Sequence, residues 1–291
     1  MHFLTADSFK AAKFHQNIGE STMCQKILFT DLDGTLLNDQ KQISERTKKA
    51  LCALHEHGHV LVFATGRPLS SVLEVRGALD LCFPDSYIIA YNGSLIWHCD
   101  SNTPVIEHTL RMDDVRSILA ETHALDIHCH TYEDDTILFE RDRMELSYYR
   151  AHIHLPARVV TDIPSALTKE PYKLISIHLS DHALLEELRR RVLAKLSERV
   201  SAVFSSEYYL EFYPVASGKG NAVKSLCHAL HIPLSNAAAI GDESNDISML
   251  DAAGLGCAVA NANPLVKEHA DFITAHDNNH DGICDLLEYF F

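Results

Sequence analysis

The chain has 291 residues, of which 46% are hydrophobic and 22% are charged, and its 25 basic and 40 acidic side chains give a formal net charge of −15. This composition excludes fibrous and disordered proteins, and the length suits one large domain or two modest ones. The negative charge disfavours nucleic acid and anionic membrane surfaces as partners, and no apolar run approaches the roughly 18 residues that a membrane helix needs.

The chain begins with residues 1–23, which show neither a periodic pattern nor the apolar region of a signal peptide. This predicts an N-terminal extension and a cytoplasmic location. After it, short apolar runs predict buried strands, with helices between them. The strands are expected over 27–29, 60–64 and 87–90, and the helices from a cap at Ser44 to Gly58 and over 69–79.

The last part of the chain repeats this alternation. Its predicted strands cover 237–240, 256–260 and 272–273, and its predicted helices cover 220–230, 246–253, 264–270 and the chain from 283. Strands that are apolar throughout and alternate with helices predict an α/β fold, in which helices cover both faces of a parallel sheet.

The middle of the chain, residues 94–212, has a different pattern. Its predicted strands come in adjacent pairs, such as 126–131 with 136–140. Adjacent strands predict antiparallel or mixed pairing, so this segment is expected to form a second, α+β domain inserted into the first. The core domain is then made of residues 24–93 and 213–291.

Two acidic residues, Asp31 and Asp33, follow the first predicted strand. Residues two apart on an extended chain point to the same side, here at the carboxyl end of a parallel strand, where such sheets bind ligands. Two carboxylates held together repel each other unless a cation or a shared proton relieves the repulsion, which suggests a metal site or an acid–base pair. Taken alone, the pair is explained equally well by an ordinary Asp-Gly turn.

A second acidic pair, Asp242 and Asp246, follows the strand predicted over 237–240 and opens a helix. A spacing of four lets a loop-to-helix turn aim both carboxylates at one point, and oxygen-only ligand sets suit Mg²⁺. Capping of the helix by Ser244 or Asn245 is the alternative, but it does not explain two further acids at the end of another strand.

Two further segments add groups that bind phosphate. Thr65 and Gly66 end the second predicted strand, where a hydroxyl and backbone N–H groups form an anion cradle. Lys219 lies between two glycines at a helix start, so its ammonium group can approach an anion closely, although a solvated lysine explains that segment alone. Together the four segments supply the groups for Mg²⁺-dependent phosphoryl transfer through an aspartyl phosphate.

The same four segments carry a resemblance to a known family. They read DLDGTLL (31–37), ATGR (64–67), SGKG (217–220) and GDESNDISML (241–250). In this order they resemble the haloacid dehalogenase superfamily, and from about residue 26 to 291 the chain looks like its Cof-like phosphatases with a type IIB cap. The resemblance implies a Rossmann-like core, an inserted α+β cap and hydrolysis of phosphate monoesters of small metabolites, such as sugar phosphates, nucleotides or cofactor-type compounds.

The resemblance also implies a role for each motif residue. Asp31 is the expected nucleophile, and Asp33 is the expected general acid and base. The expected Mg²⁺ ligands are Asp31, the Asp33 carbonyl, Asp242 and Asp246. The expected phosphate-binding residues are Thr65, Gly66, Lys219 and Asn245. For Arg67 the resemblance does not define a role, and a structural role is the one considered.

The cap is expected to select the substrate, which would be a small phosphorylated metabolite. His130 and Tyr132 lie two apart on one predicted strand, together with His128, and therefore share a face that points either to the substrate or to solvent. Two other functions stay open: a phosphotransferase or phosphomutase of the same superfamily, and a non-catalytic phosphate-binding regulator, which would be expected to lack Asp31 or Asp33. The sequence does not indicate an oligomeric state.

Overall fold

The structure is a computed structural model that describes residues 25–151 and 153–291. The predicted extension over residues 1–23 lies outside the described residues. Within the part of the chain that is described, no helix is long and apolar enough to cross a membrane.

The first part of the core alternates strands with helices, as predicted. Its elements are β1 (Ile27–Thr30), α1 (Glu45–Glu56), β2 (Val60–Ala64), α2 (Leu69–Ala78), β3 (Tyr87–Ala90), β4 (Leu95–His98) and β5 (Thr103–Glu107). Every residue of β1, β2 and β3 is buried, so both faces of these strands are covered. Helix α1 begins at the predicted cap, because the Ser44 side chain accepts a hydrogen bond from the Thr47 N–H.

The middle of the chain forms the insert, which is smaller and mostly antiparallel. Its elements are α3 (Met112–Ala124), β6 (His128–Glu133), β7 (Thr136–Phe139), α4 (Met144–Arg150), β8 (Ala157–Val159), α5 (Ile163–Ala166), β9 (Leu174–Ile177), α6 (His182–Leu196), β10 (Val200–Ser206) and β11 (Tyr209–Pro214).

The second part of the core returns to the alternating pattern. Its elements are α7 (Lys219–Ala229), β12 (Ala237–Gly241), α8 (Ile247–Ala252), β13 (Leu255–Ala258), α9 (Pro264–His269), β14 (Phe272–Ile273) and α10 (Gly282–Phe290).

The two parts of the core share one eight-stranded sheet, in the order β14-β13-β12-β1-β2-β3-β4-β5. Strand β1 lies between β12 and β2 and is parallel to both, with Ile27 opposite Ala237 on one side and Val60 on the other. Strands from β14 to β3 in this order are parallel, which confirms the predicted α/β fold. The loops at their carboxyl ends therefore meet along one edge of the sheet.

The insert starts later in the chain than residue 94, the predicted position. Strands β4 and β5 pair antiparallel with β3 and with each other, and so extend the core sheet. The predicted boundary rested on the change from alternating to paired strands, but a hairpin added to the edge of a parallel sheet produces the same change. The insert's own sheet begins at β6, and its last strand ends at Pro214.

The insert's sheet has the order β10-β11-β9-β6-β7-β8, and its two faces have different neighbours. One face packs with α3 and α6 in a hydrophobic cluster that includes Ile118, Leu188 and Leu210. Residues of the other face, such as Tyr132 and Ile175, belong to the cluster that continues into the core domain. Helix α4 lies on this second side, between the insert's sheet and the core.

Candidate active site

Three predicted site residues directly follow neighbouring strands of the core sheet. Asp31 follows β1, Thr65 follows β2 and Asp242 follows β12. The Asp31 N–H donates to the Ile240 carbonyl at 3.0 Å, so the chain keeps its pairing with β12 up to this residue. Parallel pairing brings the three segments together, as their positions in the sequence predict.

The carboxylates of Asp31, Asp242 and Asp246 form an acidic cluster, in which one oxygen of each lies within 4.8 Å of the others. Burial and the charges of neighbouring carboxylates raise the pKa of Asp31 to about 7 and that of Asp242 to about 9, in spite of the opposing charge of Lys219 beside Asp31. A divalent cation relieves this repulsion, and an oxygen-only donor set fits Mg²⁺.

Gly34 and Thr35, the two residues that follow Asp33, shape the acidic cluster. Gly34 has a φ of +78°, and a Cβ atom at this position would lie 2.3 Å from Asp242 Oδ2. The Thr35 hydroxyl donates to Asp242 Oδ1 at 2.7 Å. The motif after β1 therefore leaves room for Asp242 and orients it, a role that the sequence pattern alone did not indicate.

Lys219 is fully buried between two members of the cluster. Its Nζ lies 2.6 Å from Asp31 Oδ1 and also donates to Asp246 Oδ1. Burial lowers the pKa of Lys219, but the charges of Asp246 and Asp31 outweigh burial and raise it, so the amine stays protonated. Lys219 thus neutralises part of the acidic cluster and holds Asp31 in place.

The Asp33 side chain is not part of the acidic cluster and pairs with two cations. Arg67 Nε and Nη2 each lie 2.6 Å from one of its oxygens, and Lys41 Nζ lies 2.7 Å from Oδ1. Burial raises the pKa of Asp33, but the hydrogen bonds and charges of Arg67 and Lys41 outweigh it and lower the pKa to about 2. Arg67 is therefore a direct partner of a predicted catalytic residue. The sequence feature that could have indicated this contact is the position of Arg67, two residues after Thr65 at the end of a central strand.

The loop after β2 is held in shape by its own groups and by Asn92. The Thr65 hydroxyl accepts a hydrogen bond from the Arg67 N–H at 3.1 Å. A Cβ atom on Gly66 would lie 3.0 Å from Asn92 Oδ1, and the same oxygen accepts from Asn245 Nδ2 at 3.1 Å. Asn245 thus contacts Asn92, and Thr65, Gly66 and Asn245 all border a cleft between the core and the insert.

A cleft of about 460 Å³ separates this edge of the core from the insert. The core side includes Asp31, Asp33 and Arg67. The insert side comprises Tyr148 and Tyr149 from α4, Ile153, Lys173 just before β9, residues 205–209 of the β10–β11 hairpin, and Glu211. The volume is in the range of sites for small molecules.

His130 and Tyr132, the predicted substrate residues of the cap, do not line this cleft. Their strand face does turn toward the core, but Tyr149 of α4 lies over them, with its ring centroid 4.6 Å from that of His130 and its hydroxyl bonded to that of Tyr132. His130 is completely buried, and burial lowers its pKa further than the nearby charges of His128 and Lys173 do. Helix α4, which the sequence-based prediction did not include, therefore lies over both side chains, and the alternative of an exposed sheet face is wrong because both are buried.

A buried ion pair that sequence reasoning missed connects the insert to the loop after β2. Lys173 Nζ lies 2.7 Å from Glu211 Oε2 and donates to the Gly66 carbonyl at 2.6 Å. The same Glu211 oxygen accepts from Asn92 Nδ2 at 2.7 Å. Burial lowers the pKa of Lys173, although Glu211 opposes this change. The sequence feature that could have indicated this pair is a charged residue beside or within an otherwise apolar strand, because a buried charge requires a partner.

Similarity to known proteins decides the family to which the chain belongs. The family of haloacid dehalogenase-like hydrolases matches residues 28–287. The chain belongs to this family. The predicted membership of its Cof-like phosphatases is confirmed, and the protein is a phosphatase of phosphoric monoesters.

Individual relatives match along most of their length. The chain is 32% identical over 235 residues to the HMP-PP phosphatase of Cronobacter sakazakii (strain ATCC BAA-894), covering 80% of this chain and 84% of that protein. It is 28% identical over 267 residues to the 5-amino-6-(5-phospho-D-ribitylamino)uracil phosphatase YcsE of Bacillus subtilis (strain 168), covering 91% and 95%. A crystal structure of a haloacid dehalogenase-like hydrolase from Bacteroides thetaiotaomicron matches with a TM-score of 0.82 at 28% identity, over 92% of this chain and 100% of that one.

Proposed function

We propose that this protein is a Mg²⁺-dependent phosphatase that hydrolyses phosphate monoesters of small metabolites through a phosphoaspartate on Asp31. The observation that carries the proposal is the position of Asp31, which borders the cleft and shares the acidic cluster with Asp242 and Asp246. The cleft volume and the small phosphorylated compound in the name of the relative YcsE support the substrate class.

The first step transfers the phosphoryl group to the protein. An oxygen of the Asp31 carboxylate attacks phosphorus, and the bond from phosphorus to the leaving oxygen breaks. Both reactants are anionic, and Mg²⁺ held by Asp31, Asp242, Asp246 and the Asp33 carbonyl would supply the positive charge that this attack needs. Lys219 keeps Asp31 in position through their 2.6 Å contact.

The phosphate oxygens are assigned to the loop after β2 and to one residue opposite it. Thr65 and Gly66 offer a hydroxyl and backbone N–H groups at the cleft, and Asn245 adds a side-chain amide there. Because these groups contact only the phosphate, they contribute equally to the binding of every substrate.

Asp33 moves the protons. It donates a proton to the leaving oxygen, and then accepts one from the water that attacks the phosphoaspartate, so that inorganic phosphate leaves and the Asp31 carboxylate is restored. In this structure Arg67 and Lys41 keep Asp33 ionised, which is the form that acts as a base. Donating a proton requires these ion pairs to separate first.

The test measures inorganic phosphate released from p-nitrophenyl phosphate and from a panel of phosphorylated metabolites, with Mg²⁺ and with EDTA. Asp31→Asn keeps the shape of the side chain but removes the attacking charge, so turnover is expected to fall to background in a folded protein. Asp39→Asn, on the exposed loop that follows, is the matched control. Substantial activity in folded Asp31→Asn, or in EDTA, would contradict the proposal. Release without an added acceptor distinguishes a hydrolase from a phosphotransferase or mutase.

A further inference from the structure

We infer that the preferred substrate carries its phosphate on a planar aromatic leaving group without a second anionic group. This inference rests on the proposed phosphatase function. It is drawn from the insert side of the cleft, which faces the part of the substrate attached to the phosphate. The tyrosine rings, the polar groups and the net charge of this wall each contribute to it.

Tyrosine rings form a large part of the wall. Tyr148 and Tyr149 are adjacent on α4, and Tyr208 and Tyr209 lie on the β10–β11 hairpin. The centroid of Tyr148 lies 5.9 Å from that of Tyr208 and 6.2 Å from that of Tyr209, with interplanar angles of 83° and 65°. These edge-to-face contacts hold the rings in fixed orientations, while 38% of Tyr148 stays exposed. Rigid aromatic surfaces stack planar rings at low cost in conformational entropy.

Three polar side chains beside the rings, Ser205, Ser206 and Glu211, already form hydrogen bonds within the protein. Ser205 donates to Glu211 Oε1 at 2.6 Å, and Glu211 Oε2 already accepts from Asn92 and Lys173. The Ser206 hydroxyl accepts from the Tyr208 N–H at 3.2 Å. Each hydroxyl of a sugar loses hydrogen bonds to water on binding unless the wall replaces them. Ser205 and Glu211 are therefore not available to the hydroxyl groups of a sugar, which favours a ring that carries few of them.

The charge of the wall argues against a second phosphate or carboxylate on the substrate. Among the described residues that line the cleft, Lys173 is the one cation from the insert, and Glu211 neutralises it at 2.7 Å. Glu207 adds an exposed carboxylate that forms no ion pair with any described residue. The wall is therefore net negative and repels a further anionic group.

A matched pair of esters tests the inference. Benzyl phosphate and cyclohexylmethyl phosphate are both primary alkyl esters with a six-membered carbon ring, and they differ in whether the ring is flat and aromatic. We expect kcat/KM to be about five- to tenfold higher for benzyl phosphate, as stacking on a tyrosine implies. Glucose 6-phosphate is expected to be poorer than benzyl phosphate, and 4-carboxybenzyl phosphate about fivefold poorer.

Variants test whether the insert side of the cleft causes these substrate preferences. In Tyr148→Leu the ratio of kcat/KM for benzyl over cyclohexylmethyl phosphate should fall close to one, whereas Tyr148→Phe should keep it. Tyr289→Leu, which removes an exposed tyrosine of α10 outside the cleft, is the control. Glu207→Gln should reduce the difference in kcat/KM between benzyl phosphate and 4-carboxybenzyl phosphate.

The outcomes separate this inference from the proposed function. Equal kcat/KM for the matched pair, a preference for glucose 6-phosphate, or an unchanged ratio in Tyr148→Leu would overturn the inference while the phosphatase function stands. If no ester releases phosphate, p-nitrophenyl phosphate included, the proposed function fails and the inference fails with it.

Discussion

Lys219 stays charged although it is fully buried, because Asp31 and Asp246 surround its amine. The two carboxylates depend on this lysine in turn, since among the described residues it is the cation that contacts both of them. Removing one partner of a buried ion pair costs far more than the pair contributes, because the remaining charges are left without compensation.

We expect Lys219→Met, in EDTA near pH 8, to lower the free energy of unfolding by about 3–5 kcal/mol, measured by urea denaturation. Lys224→Met, at an exposed position of the same helix, should change it by less than about 0.5 kcal/mol. Activity of Lys219→Met should fall by a similar factor for every ester, because Lys219 contacts Asp31 and not the leaving group. A variant that changed only the substrate preference would count against this role.

Asp33 provides a second prediction, which concerns the order of steps. Asp33→Asn can neither protonate a leaving oxygen nor activate water, but p-nitrophenolate leaves without protonation. A stopped-flow experiment with p-nitrophenyl phosphate should therefore show a burst of nitrophenolate close to one equivalent, followed by turnover reduced by about 10²–10⁴-fold. Lys41→Met, which keeps Asp33 and its contacts to Arg67, should turn over without a burst. Steady release of nitrophenolate by Asp33→Asn at the wild-type rate would exclude the assigned role.

Which residues meet at the site followed from the sequence, but which atoms they contact did not. Asp31, Asp242 and Thr65 could be placed together because parallel strands bring their carboxyl ends to one edge. The pairing of Arg67 with Asp33 depends on side-chain torsions that residue order does not fix. The partners of Lys219 were likewise missed, since a lysine between glycines is equally compatible with solvent and with burial.

Among the secondary-structure elements, the apolar strands of the core were predictable and the short elements of the insert were not. Strands β2 and β3 have the predicted bounds, because a run of apolar residues flanked by turns admits few alternatives. Helix α4 has only seven residues, and two of them are arginine and glutamate. Its position depends on packing against β6, and this packing is what covers His130 and Tyr132.

The link between the insert and the loop after β2 gives a third prediction. Lys173→Met leaves Glu211 buried without its cation, and should lower the free energy of unfolding by about 3–5 kcal/mol at pH 7. Glu211→Gln keeps groups that can bond Asn92 and Ser205 but removes the charge. The double variant should therefore be less destabilised than the sum of the single variants, which a double-mutant cycle by urea unfolding measures. Additive losses would mean that the pair is not coupled.

At the scale of the whole molecule, the sequence showed that a second domain interrupts the first, but not where. Alternation of strands and helices identifies a parallel sheet, whereas β4 and β5 carry a pattern that fits either sheet. Their assignment to the core depends on pairing between β3 and β4, a tertiary contact. The same uncertainty does not arise at the return to the core, where helix α7 begins at Lys219, one residue before the predicted start.

The acidic cluster predicts how stability depends on pH in the protein without metal. The folded pKa values of Asp31 and Asp242, about 7 and about 9, lie above the ordinary value of 3.8, so the folded state binds more protons than the unfolded state between these limits. Their contribution to the free energy of unfolding is full below about pH 4 and is lost as pH rises toward 9. Urea unfolding in EDTA should therefore show lower stability at pH 8.5 than at pH 7.

The pH range from 7 to 8.5 distinguishes the effect of the acidic cluster on stability from the effect of other titratable groups. Burial and the charge of Arg143 lower the pKa of His128 to about 4, so its opposite effect on stability acts at lower pH. Saturating Mg²⁺ should raise the melting temperature, and more at pH 8.5 than at pH 7, because it binds the ionised carboxylates. Asp242→Asn should flatten the pH dependence in EDTA. Stability in EDTA that rises across this window would contradict the assignment.

The pairing of β1 with β12 also has a consequence for the order in which the protein can be completed during synthesis. Thr35 and its partner Asp242 are 207 residues apart in the chain, and the whole insert is translated between them. The packing partners of the cluster around Ile118 and Leu188 all lie within the insert, so they are available while β1 still lacks a neighbour on one side. A chain that stops before β12 would therefore contain Asp31 and the whole insert, yet it would expose an unpaired strand edge and hold only part of the acidic cluster.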